Sequence, residues 1–542
     1  MSYSSVSSTA TVTFAEALAK IDAEIDALQT RVYELRTTRN AMLPISCLPF
    51  EILSRIFSFV GVEGGGSFEV PIIVPVAQVS RHWRQVALED PMLWTCIDKS
   101  NLRRANLFIE RSKKLGLSIC LDTSDIYDYD LEAEHISEAF DRVKDLTLAC
   151  ESRRFRNTDS DIDIYRAPFL DTPRHAPLLE RLSLYDLQLP SAISSTTAPK
   201  LQILELVRSN FSWITLRTHC PKLTTLRLER PVQGIVLHDL RDLLEATPLL
   251  QHLVLVDIQL SHTEVNLDPV HLHSLTTLKI EFRGLGPALP LYECLILPQT
   301  TDRALRIPVH QSEIEGLSAV FSSITKHFDS ANPIQFFDVA DNIRGSLHLE
   351  LRTAGTAGRA ILKIASTSAY TSTTLKRDAL DKALKELPLK SVKGFSFETG
   401  HPFDTWVRDL GHMTSLELLR VSDFAAVSFF RFLVSKPRVE ENLLELFPEL
   451  KVLKWMYAEH DVELHEGDVS AFCRAAHVLY PRGCPPIPDL SCRLYQSSAT
   501  IDSGRLGQLL KNWRVLSGQE DSHPQPKLEA PTDDDFIGSR AI

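Results

Sequence analysis

Few side chains in this sequence are spaced to do chemistry. His271 and His273 stand two residues apart, so on an extended backbone both imidazoles would leave one side of the chain, where a bound cation would still need further ligands. No third ligand is positioned by the surrounding pattern, and the pair reads as a solvated loop. Cys484 and Cys492 are the nearest late thiols, but their flanks are Pro-rich and no His follows at zinc-site spacing. Adjacent carboxylates such as Glu440 and Glu441 read as surface charge, because an acid/base pair needs two environments that drive the pKa values apart. There is no Gly-Lys-Ser/Thr phosphate loop, no Gly-x-Ser-x-Gly elbow and no His-Glu-x-x-His helix. The sequence predicts a chain that is not an enzyme and uses no cofactor or metal.

Charge and hydropathy narrow the class further. The 542 residues carry 58 Lys and Arg against 70 Asp and Glu, a formal charge of −12. A general binder of nucleic acid or of an anionic membrane needs the opposite balance. No apolar run approaches the roughly 18 residues of a membrane span. The Ser-rich start lacks the basic and apolar regions of a secretory signal, so a cytoplasmic and/or nuclear location is expected. The nine cysteines, without a C-x-x-C pair, read as reduced and mostly buried thiols.

With little chemistry to position, the patterned residues must act by shape. The densest pattern runs from Leu48 to Trp94: Leu48-Pro49-Phe50-Glu51-Ile52-Leu53, Ile56-Phe57, Val79-Ser80-Arg81-His82-Trp83-Arg84 and Asp90-Pro91-Met92-Leu93-Trp94. Pro49 suits a first helical position, and Ile52, Leu53, Ile56, Phe57 and Val60 recur at helical spacing. Pro75 is expected to open a second helix, with Val76, Val79, Trp83 and Val86 on one face, that ends at Pro91. Two such helices cannot bury enough surface to stand alone and need a third party.

At these residues the chain resembles the F-box family, whose pattern is Leu-Pro-x-Glu-Ile-Leu-x-x-Ile-Phe followed by Cys-Arg-x-Trp-Arg and Asp-Pro-x-Leu-Trp. The resemblance implies docking on a Skp-type adaptor, and through it on the cullin and RING subunits of an SCF ubiquitin ligase. Carried over by position, the adaptor-binding residues would be Leu48, Pro49, Ile52, Leu53, Ile56, Phe57, Val79 and Trp83. Ser80 stands where the family commonly has Cys, and a Gly-rich linker containing Gly61 and Gly64 to Gly66 lengthens the connection.

Upstream, Leu18, Ile21, Ile25, Leu28, Val32 and Leu35 alternate steps of three and four, which is heptad spacing, until Arg39 breaks the seam. Two readings stand. One is a short coiled coil giving weak self-association through residues 18–35; the other is an amphipathic helix folded back beside the F-box-like segment.

Downstream, Leu-x-x-Leu-x-Leu recurs at Leu179, Leu201, Leu223 and Leu250, with looser copies from Val143, Leu275, Val392, Leu416 and Leu450. The steps from Leu179 through Leu201, Leu223 and Leu250 to Leu275 are 22, 22, 27 and 25 residues, within the period of leucine-rich repeats. Stacked copies would bury the leucines and expose the intervening positions of a parallel sheet. Those positions include Ser183, and the candidate client-binding residues among them are Arg181, Glu205, Arg227, His252, Lys279, Arg420 and Lys454. Their basic excess suggests an acidic or phosphorylated client, or simply a soluble face. This region resembles the substrate-binding half of leucine-rich F-box proteins, although the usual Asn after the third leucine is absent.

The expected fold class is α/β: a short N-terminal helix, a helical F-box, then an irregular leucine-rich-repeat-like solenoid with parallel strands. Residues 1–13 are expected to be disordered, 14–42 helical, 44–98 the F-box and 99–125 a connector. Repeat-like turns are expected over 126–283 and, with a C-terminal cap, over 389–516. Residues 284–388 are either irregular turns or an inserted unit, and 517–542 an acidic disordered tail. The function expected is substrate recognition for an SCF-type ligase, with a client protein on the repeat face. The alternative is a non-catalytic scaffold that uses its F-box outside a ligase.

Overall fold

A computed structural model describes residues 7–59, 73–98, 102–122, 130–150, 175–189, 196–259, 268–399, 412–422 and 448–456, with breaks of one to five residues inside 196–259, 268–399 and 448–456. The Gly-rich linker, Glu440, Glu441, Cys484, Cys492, the C-terminal cap expected before 516, and the acidic tail lie outside the described residues. What is described forms two compact units that part between Leu179 and Glu180.

The first unit opens with α1 (Ser7–Ala41), which starts before the expected Phe14 because neither Gly nor Pro interrupts the chain from Ser7 onward. Pro44 forbids its continuation and begins a 3-10 turn to Cys47. Then come α2 (Phe50–Phe59), α3 (Ile73–Val79) and α4 (Arg81–Glu89), a 3-10 turn over Pro91–Trp94, β1 (Cys96–Asp98), α5 (Ala105–Arg111), β2 (Leu117–Asp122), α6 (Asp130–Glu138) and β3 (Val143–Ala149). Strands β1, β2 and β3 pair in parallel.

Two expectations change here. The single helix from Pro75 is two helices, because Ser80 adopts extended backbone and its Oγ accepts the Trp83 N–H at 3.1 Å, restarting the chain as an N-cap. Within the connector expected over 99–125, the sequence from Leu102 to Leu115 has helical spacing ahead of Gly116, but the helix ends at Arg111. Lys113 takes the left-handed turn (φ 55°), and the Arg142 guanidinium donates to the carbonyls of Ile109 (3.0 Å) and Leu115 (3.0 and 3.2 Å), covering open helix-end acceptors. β3, the first loose copy of the leucine motif, pairs with β2 inside this unit, so the chain does not divide at 125/126.

The second unit runs through β4 (Arg181–Tyr185), β5 (Ile203–Val207), β6 (Thr225–Glu229), α7 (Leu237–Glu245), β7 (His252–Ile258), β8 (Val270–His271), β9 (Thr277–Phe282), α8 (Ala288–Cys294), β10 (Leu295–Ile296) and β11 (Asp302–Val309). It continues with α9 (Leu317–Thr325), β12 (Phe336–Asn342), β13 (Ser346–Arg352), β14 (Arg359–Ser366), α10 (Ser372–Glu386), β15 (Gly394–Thr399), β16 (Leu418–Ser422) and β17 (Val452–Met456). β8 and β10 pair with each other; the rest form a mostly parallel sheet in the order β4-β5-β6-β7-β9-β11-β14-β13-β12-β15-β16-β17.

Motif leucines align across the strands, Leu182 with Leu204, Leu226, Leu253 and Leu278, and Leu184 with Leu206, Leu228, Leu255 and Ile280. None is more than 1 % exposed, and each contributes about 1.5–3 kcal/mol of burial. The prolines set the approach to each strand: Pro177, Pro199 and Pro248 sit second in turns closed by Leu179, Leu201 and Leu250 N–H groups donating to Ala176, Ala198 and Thr247 carbonyls at 3.1–3.2 Å. Two residues past each third leucine, Asp186, Arg208, Arg230 and Asp257 take φ of 60°, 48°, 46° and 52°. A non-Gly residue holds that region only when surroundings fix it. Here the N–H groups of Asp186, Arg208 and Arg230 donate to the next strand's Val207, Glu229 and Val256 carbonyls at 2.7–2.9 Å. The side chains lock as well, Arg208 to Asp186 at 2.5 and 2.7 Å, and Arg230 and Arg283 to Asp257 at 2.8 and 2.7 Å.

Residues 284–388 are continuous with this sheet. From β11 the chain passes over two strand positions to β12, folds back through antiparallel β13 to β14 beside β11, and returns through α10 to β15 beside β12. β13 alone among the sheet's described strands runs reversed, and it is buried along six of its seven residues. α9 and α10 pack together and are tied by Ser318 to Glu386 at 2.8 Å, while Lys382 donates at 2.7 Å to Glu315 in the 3-10 turn (Gln311–Gly316) ahead of α9.

Candidate adaptor-binding face

The F-box-like helices sort their apolar residues between two jobs. Leu48 follows the Pro44–Cys47 turn in extended backbone and Pro49 caps α2, its carbonyl accepting from Ile52 and Leu53 N–H at 3.1 Å. On α2, Leu53 and Phe57 share a stripe and are buried (0 % and 6 % exposed), Phe57 against the Trp83 ring at 5.1 Å. The neighbouring stripe points outward: Ile52 is 48 % and Phe59 57 % exposed, with half-buried Ile56 between them. α2 packs on α4 and on the turn at Pro91.

Polar contacts hold this cluster in shape. Asp90 accepts from Ser54 Oγ and, at 2.9 Å, from the Met92 N–H, joining α2 to the turn after α4. Trp94 Nε1 donates to the Ala87 carbonyl at 2.7 Å, with Phe108 at 5.0 Å and the Arg111 guanidinium 4.4 Å above its ring. Buried polar groups satisfied in this way fix one arrangement of the helices.

Of the eight residues marked in the sequence, Pro49, Ile52 and Val79 are exposed, Leu48, Ile56 and Trp83 are half-buried, and Leu53 and Phe57 are turned inward. Leu53 and Phe57 thus support the face rather than form it, since their stripe is needed to hold α2 onto α4. Trp83 packs on Phe57, and its Nε1 is buried without an acceptor among the described residues. The sequence reading missed exposed Leu43, Ile45, Phe59 and Met92. For Phe59 the signal was present, seven residues and two turns beyond Ile52.

On the sheet, Arg181 and His252 are exposed while Glu205, Arg227, Lys279 and Arg420 are half-buried. Lys454 lies on β17 in register with Arg420, its side chain outside the described residues. Ser183, expected to be exposed, is buried and donates to Glu205 at 2.8 Å. Arg227 pairs with Glu229 at 2.7 Å, Lys279 with Glu281 at 3.8 Å, and Arg306 with Glu281 at 3.3 Å. Arg352 pairs with Asp338 and, at 3.5 Å, with Glu350. Burial lowers the pKa of the Lys279 ammonium, against an opposing pull from Glu281, and burial likewise lowers that of Arg420. Arg227 and Lys279 are thus paired with carboxylates two residues on, while Arg420 Nε is buried without an acceptor among the described residues.

The His271 and His273 rings stack at 5.4 Å, both exposed. Among the described residues no group of three His, Cys, Asp or Glu is arranged to hold a metal ion, and no helix is long and apolar enough to cross a membrane.

No curated protein matches the chain. Against protein families, the segment that carries the Leu48–Pro49 pair and the sorted stripes of α2 is similar to one: a family model described as F-box-like matches residues 45–100.

Proposed function

We propose that this chain is a substrate-recognition subunit of an SCF-type ubiquitin ligase. The observation that carries the reading is the coincidence of the F-box-like match with a helix that withdraws Leu53 and Phe57 and presents Ile52, Ile56 and Phe59 outward. An exposed apolar stripe on a cluster whose own core is already closed calls for a partner. A Skp-type adaptor would take that stripe together with Leu48, Pro49 and Val79, and would bring in cullin and RING subunits. The sheet, read as a leucine-rich-repeat-like solenoid, would hold the client. Its parallel register, aligned leucines and repeated left-handed strand ends support that reading. The chain would perform no covalent step, contributing proximity and orientation to a transfer carried out by others.

The test is co-purification with a Skp-type adaptor, comparing the intact chain with an Ile52→Asp variant and with a Leu48→Ala, Pro49→Ala double variant. All three should fold, since Ile52 and Pro49 are exposed and Leu48 is half-buried, and only the intact chain should retain the adaptor. A folded intact chain that fails to bind would end the ligase reading. An adaptor complex that recruits no cullin would make the chain a scaffold.

A further inference from the structure

α1 carries an apolar stripe that the described residues of its own chain leave open. Phe14, Leu18, Ile21, Ile25, Leu28, Val32 and Leu35 are each between 45 % and 67 % exposed. A strict seven-residue repeat drifts about 20° per heptad around a straight helix, so it matches a supercoiling partner better than a flat surface. A 35-residue helix spans roughly 50 Å at about 1.5 Å per residue, long enough to need the stripe covered. We infer that α1 pairs with α1 of a second copy of this chain as an antiparallel two-stranded coiled coil.

Charge decides both the partner and its direction. Leu18, Ile25, Val32 and Arg39 occupy one seam position of the heptad and Phe14, Ile21, Leu28 and Leu35 the other, with Asp22, Gln29 and Arg36 flanking one side and Glu24 and Arg31 the other. In a parallel pair each seam residue meets its own copy. Arg39 would face Arg39, and Arg31 would face Arg36 twice, all like-charge contacts. In an antiparallel pair centred between Asp26 and Ala27, Leu18 meets Leu35, Ile21 meets Val32 and Ile25 meets Leu28, so all six apolar seam residues close on one another. Glu24 then faces Arg31 at two symmetric places, and Arg39 reaches the Phe14 ring, a cation–π contact in place of a repulsion. Within one chain Arg31 contacts Glu34 at 2.9 Å with both side chains more than half exposed, a surface contact of small value that the new pairing can displace. The inference does not rest on the adaptor reading.

The test uses the full chain. Light scattering over a concentration series should show a species of twice the 61.0 kDa chain mass. Mixing Leu18→Cys with Leu35→Cys chains under mild oxidation should give the mixed 18–35 disulfide, identified by peptide mapping. Glu24→Arg should raise the dimer dissociation constant by about tenfold through loss of two pairs, and adding Arg31→Glu to it should restore the dimer. A monomer at every concentration would overturn the inference. So would 18–18 and 35–35 disulfides, or a dimer tightened by Arg31→Glu alone, since those are the signs of a parallel pair. Because all four substituted positions are exposed and α1 holds no Trp, unfolding of the rest of the chain followed by Trp fluorescence separates a lost dimer from a lost fold.

Discussion

On α2, Leu53 and Phe57 are withdrawn into the F-box-like cluster and Ile52 and Phe59 are left 48 % and 57 % exposed; on α1, no seam residue from Leu18 to Leu35 is withdrawn at all. Both helices carry apolar residues at helical spacing; among the described residues α1 packs on the short Pro44–Cys47 turn that follows it, whereas α2 has neighbours, α4 and the Pro91 turn, to divide them with. A helix with such neighbours can separate the residues that hold it from the residues that bind. A long helix whose seam lies open cannot, because the same side chains must do both. Substitutions on α2 should therefore split into folding and binding effects, and substitutions on α1 should not.

The largest effect expected is on α2. Phe57→Ala removes a buried ring packed on Trp83 and should cost about 3–5 kcal/mol in denaturant unfolding. Ile52→Ala should change stability by less than about 0.5 kcal/mol, as for exposed sites, and yet cost more than about 1 kcal/mol of adaptor binding measured calorimetrically. Equal losses of stability from the two variants would break the comparison. On α1, Ala27→Pro places a helix breaker at the centre of the seam, worth about 3 kcal/mol. Helical signal in circular dichroism and dimer mass should fall together, while adaptor binding stays. A dimer that survived with its helix broken would show that the seam is not the contact.

A smaller effect separates α3 from α4. Ser80→Ala removes the oxygen that accepts the Trp83 N–H, at about 1 kcal/mol. Because Trp83 packs on Phe57, the loss should appear in unfolding first and in adaptor affinity only through the position of α2.

Ser80 also shows where the sequence was legible and where it was not. Leu48, Pro49 and the α2 apolar residues belong to a dense local pattern, and local patterns survive being read one window at a time. Ser80 was read as a small residue within a helix, although Ser ahead of a helical run is also an N-cap signal. The motif leucines from Leu182 to Ile280 were legible for the same local reason. The order β11-β14-β13-β12-β15 was not, because it rests on Phe337 meeting Phe395 and on α9 meeting α10, contacts set by packing between distant segments. The ion pairs on the face were legible in the sequence for a different reason. Glu229 and Glu281 stand two residues beyond Arg227 and Lys279, hence on the same side of each strand, where they pair with them.

The smallest predicted effect sharpens the comparison by supplying a site where pairing is closed within one chain. Asp257 accepts from Arg230 and Arg283 at the left-handed end of β7. Partial burial pushes its pKa up, and the two guanidinium groups outweigh that and hold it below the ordinary carboxylate value. A carboxyl depressed in the folded state stabilises above its unfolded pKa, about 3.9, and that contribution is lost as pH falls through the lower folded value. Asp257→Asn keeps a side chain that tolerates φ of 52° and removes the charge. The variant should be less stable than the intact chain by under about 1 kcal/mol near neutral pH, as for exposed ion pairs, and the difference should vanish in acid. It should also be independent of chain concentration, whereas every stability change at the α1 seam should depend on it. A concentration-dependent Asp257 effect would mean that the second unit, too, meets another copy, and that the contrast drawn between α1 and the rest of the chain is too sharp.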